Sequence, residues 1–314
     1  MPLDPLAKAF LDQLAARPTP KLWELPPELG RMAFAATMSL VGPKDVPIGR
    51  IENISMPGPG GDMKLRTYTP VAAGGEALPT IVFFHGGGFV FGDLDTHDGL
   101  CRLLATDSGA RVIAVNYRLA PEHKFPAAVE DAFAAVRWIE ENAADLGVDA
   151  NRIAVAGDSA GANLSAVVCQ LAKAEDGSKI AAQLLMFPST QIGGTFASLQ
   201  EFAAGYLLER KSIDWCYGNY IPPGTDPNDI RLSPLLADDL SGVPPAYVML
   251  GGCDPFHDEG LAYAQKLRAA GVAVAVADYP GMLHCFIYLQ AVLPQAHTAL
   301  ADAARTLRRT LEAG

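Results

Sequence analysis

The sequence predicts a doubly wound α/β fold, a mostly parallel sheet flanked by helices. Three observations predict it. Short apolar, β-branched runs recur from residue 64 onward, amphipathic stretches separate them, and two glycine-rich motifs follow such runs directly. Strands buried on both faces read as near-continuous apolar runs because neither face is left for polar side chains. In such sheets, sites gather at the carboxyl ends of strands.

The first fifty residues read as helical. Leu3, Leu6, Phe10 and Leu14 fall at spacings of three, four and four, which makes one apolar stripe. Asp4 and Asp12 on that stretch weigh against an organelle-targeting helix. The strand series starts weakly at 64–69, then runs through T-I-V-F-F at 80–84, R-V-I-A-V-N at 111–116 and R-I-A-V-A at 152–156. It continues at 183–187, 246–250 and 272–278. Helical stripes lie between and after these runs: Val129, Phe133, Val136 and Ile139, then Leu300, Ala304, Leu307 and Leu311 near the C-terminus.

Between 188 and 245 the strand series stops. F-A-S-L-Q-E-F-A-A-G-Y-L-L and S-I-D-W-C-Y-G-N-Y-I both read as helical, and an insertion of this size usually covers something. The expected organisation is therefore a core in two parts, 51–187 and 241–314, with a helical cap built from 1–50 and the insertion 188–240.

Composition bounds the partners. In a chain of 314 residues, half are apolar and 19% charged, enough for a sizeable core. The charge is 24 minus 35, or −11, which argues against nucleic acid or an anionic membrane as a main partner. The five cysteines are odd in number and widely spaced, without C-x-x-C, so neither a disulfide framework nor a zinc site is expected. No basic stretch leads into a long apolar one, and no apolar run is long enough to span a bilayer. The expectation is a soluble, cytoplasmic protein.

The sharpest chemical signal is Gly157-Asp158-Ser159-Ala160-Gly161, directly after R-I-A-V-A and directly before a helical run. A serine on a tight strand-to-helix turn flanked by glycines is a nucleophile elbow, which holds the hydroxyl out at the top of the sheet. The Ala160 N–H then sits at a helix N-terminus, aimed where negative charge develops. The second signal is His85-Gly86-Gly87-Gly88-Phe89. Consecutive glycines let backbone N–H groups converge on an anion. A phosphate cradle would need the G-K-[ST] that is missing here. The loop reads instead as an oxyanion hole, with Gly87 and Gly88 donating beside Ala160, and His85 pinning the loop.

A serine needs a base, and the base a carboxylate, in the chain order Ser, acid, His for this kind of sheet. His85, His97 and His123 precede the serine, His297 lies in the final helical pattern, and His257 is three residues past the best acid. His284, on a loop after the last strand, is the expected base. Asp254, at the end of the run A-Y-V-M-L-G-G-C, is the expected acid, with Asp258 the alternative.

Together these motifs resemble the hormone-sensitive-lipase-like group of α/β-hydrolases, the bacterial carboxylesterases of family IV. The shared text is H-G-G-G-F at 85–89, Y-R-L-A-P-E-H-K-F-P-A-A at 117–128, G-D-S-A-G at 157–161, D-P-F-x-D-E at 254–259 and G-M-x-H-x-F at 281–286. The resemblance implies an α/β-hydrolase fold with a helical cap, a Ser159–His284–Asp254 triad, and an oxyanion hole from Gly87, Gly88 and Ala160. It also implies that 117–128 is a bracing loop rather than a binding site. Cys253 and Cys285 depart from the usual family text, and read as small packing residues.

The expected activity is hydrolysis of short- to medium-chain carboxylic esters through an acyl-enzyme, with no metal and no organic cofactor. Phe89, Phe91, Asp158, Tyr206, Leu208 and Phe286 are the expected substrate-binding residues. Deacetylase, amidase and acyltransferase activities share the same intermediate and stay open. A small-ligand receptor on this fold would lack the triad, and His284 argues against it. The expected assembly is a monomer or homodimer.

Overall fold

The computed structural model describes residues 2–17, 19–71, 73–74, 77–175 and 179–313. Helices α1 (Pro5–Ala15) and α2 (Pro27–Val41) precede the sheet. Asp4 caps α1, accepting the N–H groups of Leu6 at 2.8 Å and Ala7 at 3.2 Å, with Pro5 at the first helical position. The first half of the alternation is β1 (Arg50–Gly58), β2 (Gly61–Thr69), β3 (Leu78–Phe84), α3 (Asp98–Ser108), β4 (Arg111–Val115), α4 (Ala127–Glu141) and α5 (Ala143–Leu146). It continues with β5 (Val148–Asp158), α6 (Ala160–Ala174) and β6 (Ile180–Met186). Then come α7 (Ala197–Glu201) and α8 (Arg210–Tyr220), followed by β7 (Ala246–Cys253), α9 (His257–Ala269), β8 (Val274–Leu283) and α10 (Pro294–Ala313).

The strands form one eight-stranded sheet in the order β1-β2-β4-β3-β5-β6-β7-β8. β1 and β2 are antiparallel to their neighbours, and every pairing from β4 to β8 is parallel. The order reverses around β3, β4 and β5, the topology in which a site forms above the strand ends. β7 is buried along its whole length, and β3 and β5 over their carboxyl-terminal halves, as continuous apolar strands require.

Register positions the chemistry. Phe84 pairs with Gly157 and Cys253 with Leu283, so the residues that follow β3, β7 and β8 leave the sheet at one rim. Those next residues are His85, Asp254 and His284, and Ser159 follows Asp158 at the end of β5.

Several expectations shift. The edge strand β1 escapes the sequence pattern because most of its residues are exposed or half-buried, leaving no apolar run. On α1 the buried face runs through Ala7, with Leu3, Phe10 and Leu11 packed against the core; Leu6 and Leu14 of the expected stripe are exposed. The expected helix at 196–208 stops at Glu201, and Gly205 and Leu207 both take positive φ beyond it. The stripe on α10 is buried throughout, at Leu300, Ala304, Leu307 and Leu311. Among the described residues, no helix is long and apolar enough to cross a membrane.

Candidate active site

Ser159 sits between the last residue of β5 and the first of α6 with φ +53° and ψ −115°. For a residue with a Cβ this is a strained backbone, costing on the order of 1–3 kcal/mol. Gly161 makes the elbow possible. A Cβ there would fall onto the carbonyl oxygen of Phe84, so only glycine lets α6 start this close to β3. The Ser159 N–H is tied to the Met186 carbonyl at 2.9 Å, fixing the turn against β6.

The Ser159 Oγ lies 3.0 Å from His284 Nε2, and His284 Nδ1 lies 2.7 Å from Asp254 Oδ2. With the Nδ1 proton donated to the carboxylate, Nε2 is free to accept from the serine hydroxyl. The other carboxylate oxygen, Oδ1, accepts the Phe256 N–H at 2.8 Å, so Asp254 is held at both oxygens. Asp258 is engaged elsewhere, accepting from Ser198 N–H at 3.0 Å and facing His257 Nδ1 at 3.0 Å.

His284 is 4% exposed, and its ring meets Phe187 and Phe256 edge-on at 5.0 and 5.4 Å. Burial works against its charged form, but the Asp254 carboxylate outweighs it and raises the imidazole pKa well above the ordinary value. Cys285, in a left-handed backbone conformation with φ +59°, places its thiol against the same imidazole. Cys253 is fully buried, as a packing residue would be.

The glycine loop after β3 has the backbone that its glycine run demands. Gly87 and Gly88 have φ of +120° and +61°. Among the described residues, neither N–H is engaged in a hydrogen bond. Ala160 opens α6, so its N–H has no partner within the helix. His85 pins the loop, with Nδ1 2.8 Å from the Gly86 carbonyl and its ring stacked on Tyr117 at 4.3 Å. Burial lowers its pKa to about 4, with His97 adding to the effect, so the ring is neutral around neutral pH. The 117–128 loop does brace this region: Tyr117 donates to the His85 carbonyl at 2.7 Å, and Ala120 N–H to that of Phe89 at 2.9 Å. Arg118 is clamped on Asp131, both nitrogens within 3.0 Å of the carboxylate.

Four of the expected substrate contacts are buried against the protein's own residues. Phe89 is buried and stacks on Tyr220 at 4.0 Å. Phe91 is buried between Phe34 at 5.7 Å and Trp215 at 5.5 Å. Phe286 is fully buried against Phe187 and Tyr279. Asp158 is bound up with its neighbours. It is 1% exposed, accepts the Gly86 N–H at 2.8 Å and lies 3.6 Å from His97 Nε2. Tyr206 is half-buried and edge-on to Phe202 at 4.9 Å. Leu208 remains beside the chemistry, because it packs with Leu199, Ile213 and Phe256, and Phe256 touches His284. The sequence reading missed Phe187, Phe256, His97 and Trp215. The first two stand next to strand ends, a signal available in the sequence; the others are placed by packing alone. Among the described residues, no His, Cys, Asp or Glu group could hold a metal ion.

A family model described as an alpha/beta hydrolase fold matches residues 81–288, which hold the elbow, the glycine loop, Asp254 and His284. The chain belongs to this family. Within it, the chain is 43% identical over 256 residues to carboxylesterase NlhH of Mycobacterium tuberculosis (strain CDC 1551 / Oshkosh), covering 80% of each. It is 48% identical over 245 residues to carboxylic ester hydrolase LipN of Mycobacterium tuberculosis (strain ATCC 25618 / H37Rv), over 76% of this chain. That match spans 65% of LipN, so the chain accounts for about two thirds of that relative's length. Among solved alpha/beta hydrolases, a hyperthermophilic esterase from the archaeon Pyrobaculum calidifontis superposes with a TM-score of 0.93 at 39% identity, covering 98% of this chain and 99% of the other. These relatives bear out the resemblance to the hormone-sensitive-lipase-like carboxylesterases.

Proposed function

We propose that this alpha/beta hydrolase is a serine carboxylesterase acting on short- to medium-chain esters through an acyl-enzyme. The observation that carries the reading is the hydrogen-bonded line Ser159–His284–Asp254, at 3.0 and 2.7 Å, beside unpaired N–H groups on the glycine loop. Ser159 Oγ attacks the ester carbonyl carbon as its proton passes to His284 Nε2. The carbonyl oxygen takes up the charge and is held by the N–H groups of Gly87, Gly88 and Ala160. His284 returns the proton to the leaving alcohol as the carbon–oxygen bond breaks. Water then attacks the acyl-enzyme with His284 as base, releasing the acid and restoring Ser159. Asp254 keeps Nδ1 protonated and balances the imidazolium throughout.

Names borne by the relatives, carboxylesterase and carboxylic ester hydrolase, support the same chemistry. Leu208 with Phe256 is the proposed wall of an acyl pocket beside His284, and α1, α2, α7 and α8 together are the proposed cap. The proposal includes a cytoplasmic location, supported by five free cysteines in the described chain, which suit a reducing compartment. It also includes a monomer or homodimer, β8 being an edge strand that a second copy could meet. The test is Ser159→Ala with p-nitrophenyl butyrate, expected to lower kcat roughly 10⁴-fold or more. Retained turnover would overturn the assignment.

A further inference from the structure

We propose that the two cap pieces act as a clamp on the oxyanion loop, and that Phe91, gripped between Phe34 and Trp215, is the residue through which they hold the Gly87 and Gly88 N–H groups in position. The inference rests on the esterase reading above and extends it. A cap is ordinarily regarded as a cover that shapes the pocket; here its contacts fall on the backbone that would stabilise the transition state.

The contacts come from both pieces and land on consecutive residues. From α8, Cys216 lies so close to the loop that a Cβ on Gly88 would stand 2.6 Å from its Sγ. Tyr220, one turn later on α8, stacks on Phe89 at an interplanar angle of 8°. From α2, Arg31 Nε donates to the Val90 carbonyl at 2.9 Å, and its NH2 group to the Ala120 carbonyl at 2.8 Å. Phe91 is then reached from both sides. Its ring lies 17° from parallel with Phe34 of α2 and 5° from parallel with Trp215 of α8. Gly30 completes the seat, since a Cβ there would stand 2.8 Å from Phe91 Cε1.

Phe91 is coupled to the donors by the chain itself. Its N–H bonds to the Gly87 carbonyl at 2.9 Å, and a Cβ on Gly87 would fall onto the Phe91 carbonyl. The turn from Gly87 to Phe91 is thus a small closed unit whose far end is the aromatic sandwich. Gly87 and Gly88 have little conformational preference of their own. Asp158 and Tyr117 hold the start of the loop, and what holds Phe91 fixes its other end; donors aimed in advance are what make an oxyanion hole effective. Phe34, Phe91 and Trp215 are positioning residues on this account; none of them touches the reacting atoms.

A cover and a clamp differ in the constant they move. Phe34→Ala, Trp215→Ala and the milder Phe91→Leu are compared with wild type on p-nitrophenyl butyrate, with active sites counted by a p-nitrophenyl phosphonate. The same variants are tested for inhibition by an alkyl trifluoromethyl ketone, whose hemiketal places an oxyanion in the hole. The clamp predicts that kcat per titrated site falls about tenfold or more while KM stays within about threefold, a fraction of the 10²–10³ lost with a whole donor. It also predicts that the ketone's inhibition constant rises in step with the loss in kcat, and that Trp215→Phe and Phe34→Tyr recover most of it. Changes in KM alone, or an inhibition constant that stays at the wild-type value, would overturn the clamp. Counting sites removes misfolded protein from the comparison, and Phe91→Leu keeps it informative should the alanine variants fail to fold. If the wild-type protein neither titrates with the phosphonate nor cleaves the ester, the esterase reading has failed instead.

Discussion

The carboxylate of Asp158 accepts the N–H of Gly86 at 2.8 Å, so the residue before Ser159 is tethered to the first glycine of the proposed oxyanion loop. Burial opposes the charge on Asp158, but His97 beside it, with the Gly86 N–H, holds the carboxyl below the usual range. Asp158→Ala would leave a buried N–H unpaired, which costs about 1–3 kcal/mol, and would free the loop from the elbow. Asp158→Asn keeps an acceptor at the same place but loses the charge opposite His97. The expected order of kcat on p-nitrophenyl butyrate is wild type, then Asn, then Ala, with Ala lower by about tenfold or more. Equal kcat in all three would show that the tether does not reach the chemistry.

His284 gives the pH dependence. Its burial would lower the imidazole pKa, yet Asp254 outweighs that and carries it well above 6.5. Ser159 needs a neutral imidazole, so kcat/KM should rise with pH and its acid limb should lie above 6.5. Replacing Asp254 by Asn removes the main upward influence. The limb should then move to lower pH while the plateau falls by roughly 10³–10⁴-fold, because the imidazole loses its tautomer control. A pH–rate profile that keeps its limb in place in Asp254→Asn would contradict the assignment of Asp254.

Gly161→Ala probes the elbow rather than the reaction. Its new methyl would meet the Phe84 carbonyl, a backbone atom of a buried strand that has no room to retreat. Overpacking of this kind typically costs about 1–3 kcal/mol, and more where backbone must move. The expected result is a lower thermal midpoint and loss of phosphonate titration together. A stable variant with normal titration would mean that α6 can slide away from β3.

What was legible in the sequence, and what was not, follows from where each residue gets its position. Ser159 and Asp254 each lie just past a strand end that an apolar run leads to, so the sequence pattern reaches them; β8 runs on to Leu283, beyond the expected 272–278, and His284 is reached by chain order instead. Tertiary packing decides which way an aromatic side chain turns. Phe89, Phe91 and Phe286 stand next to the chemistry in sequence, yet they face Tyr220, Trp215 and Tyr279. No periodicity distinguishes a phenylalanine facing a pocket from one facing a neighbouring ring. β1 was missed for the opposite reason: an edge strand open to solvent carries no apolar signature. The overlong expected helix at 196–208 contains Leu207 at φ +71°, a left-handed leucine that no propensity would suggest.

Glu259 is buried at 1% exposure, and the mechanism makes no use of it. It joins the acid-bearing segment to the start of the insertion, its Oε1 accepting the Thr190 N–H at 2.6 Å while the Thr190 hydroxyl donates to its carbonyl at 2.9 Å. Burial pushes its carboxyl up from 4.5 to about 8, the Thr190 and Gln191 N–H groups pulling back and the Asp254 charge adding to the rise. Between those two values the folded protein keeps a proton that the unfolded chain has lost. Stability therefore falls as pH rises through that window, since the folded state binds the greater number of protons. Glu259→Gln cannot ionise and should lose this component while keeping an acceptor for Thr190. His284 contributes a decline of the same sign in both proteins, so the difference between their curves isolates Glu259. Thermal midpoints followed across the window should start close together near its acid end and diverge toward about 8, with the glutamine variant the more stable there. Parallel curves would mean that Glu259 titrates alike in the folded and unfolded chain, and that its burial among Thr190 and Gln191 costs the carboxylate nothing.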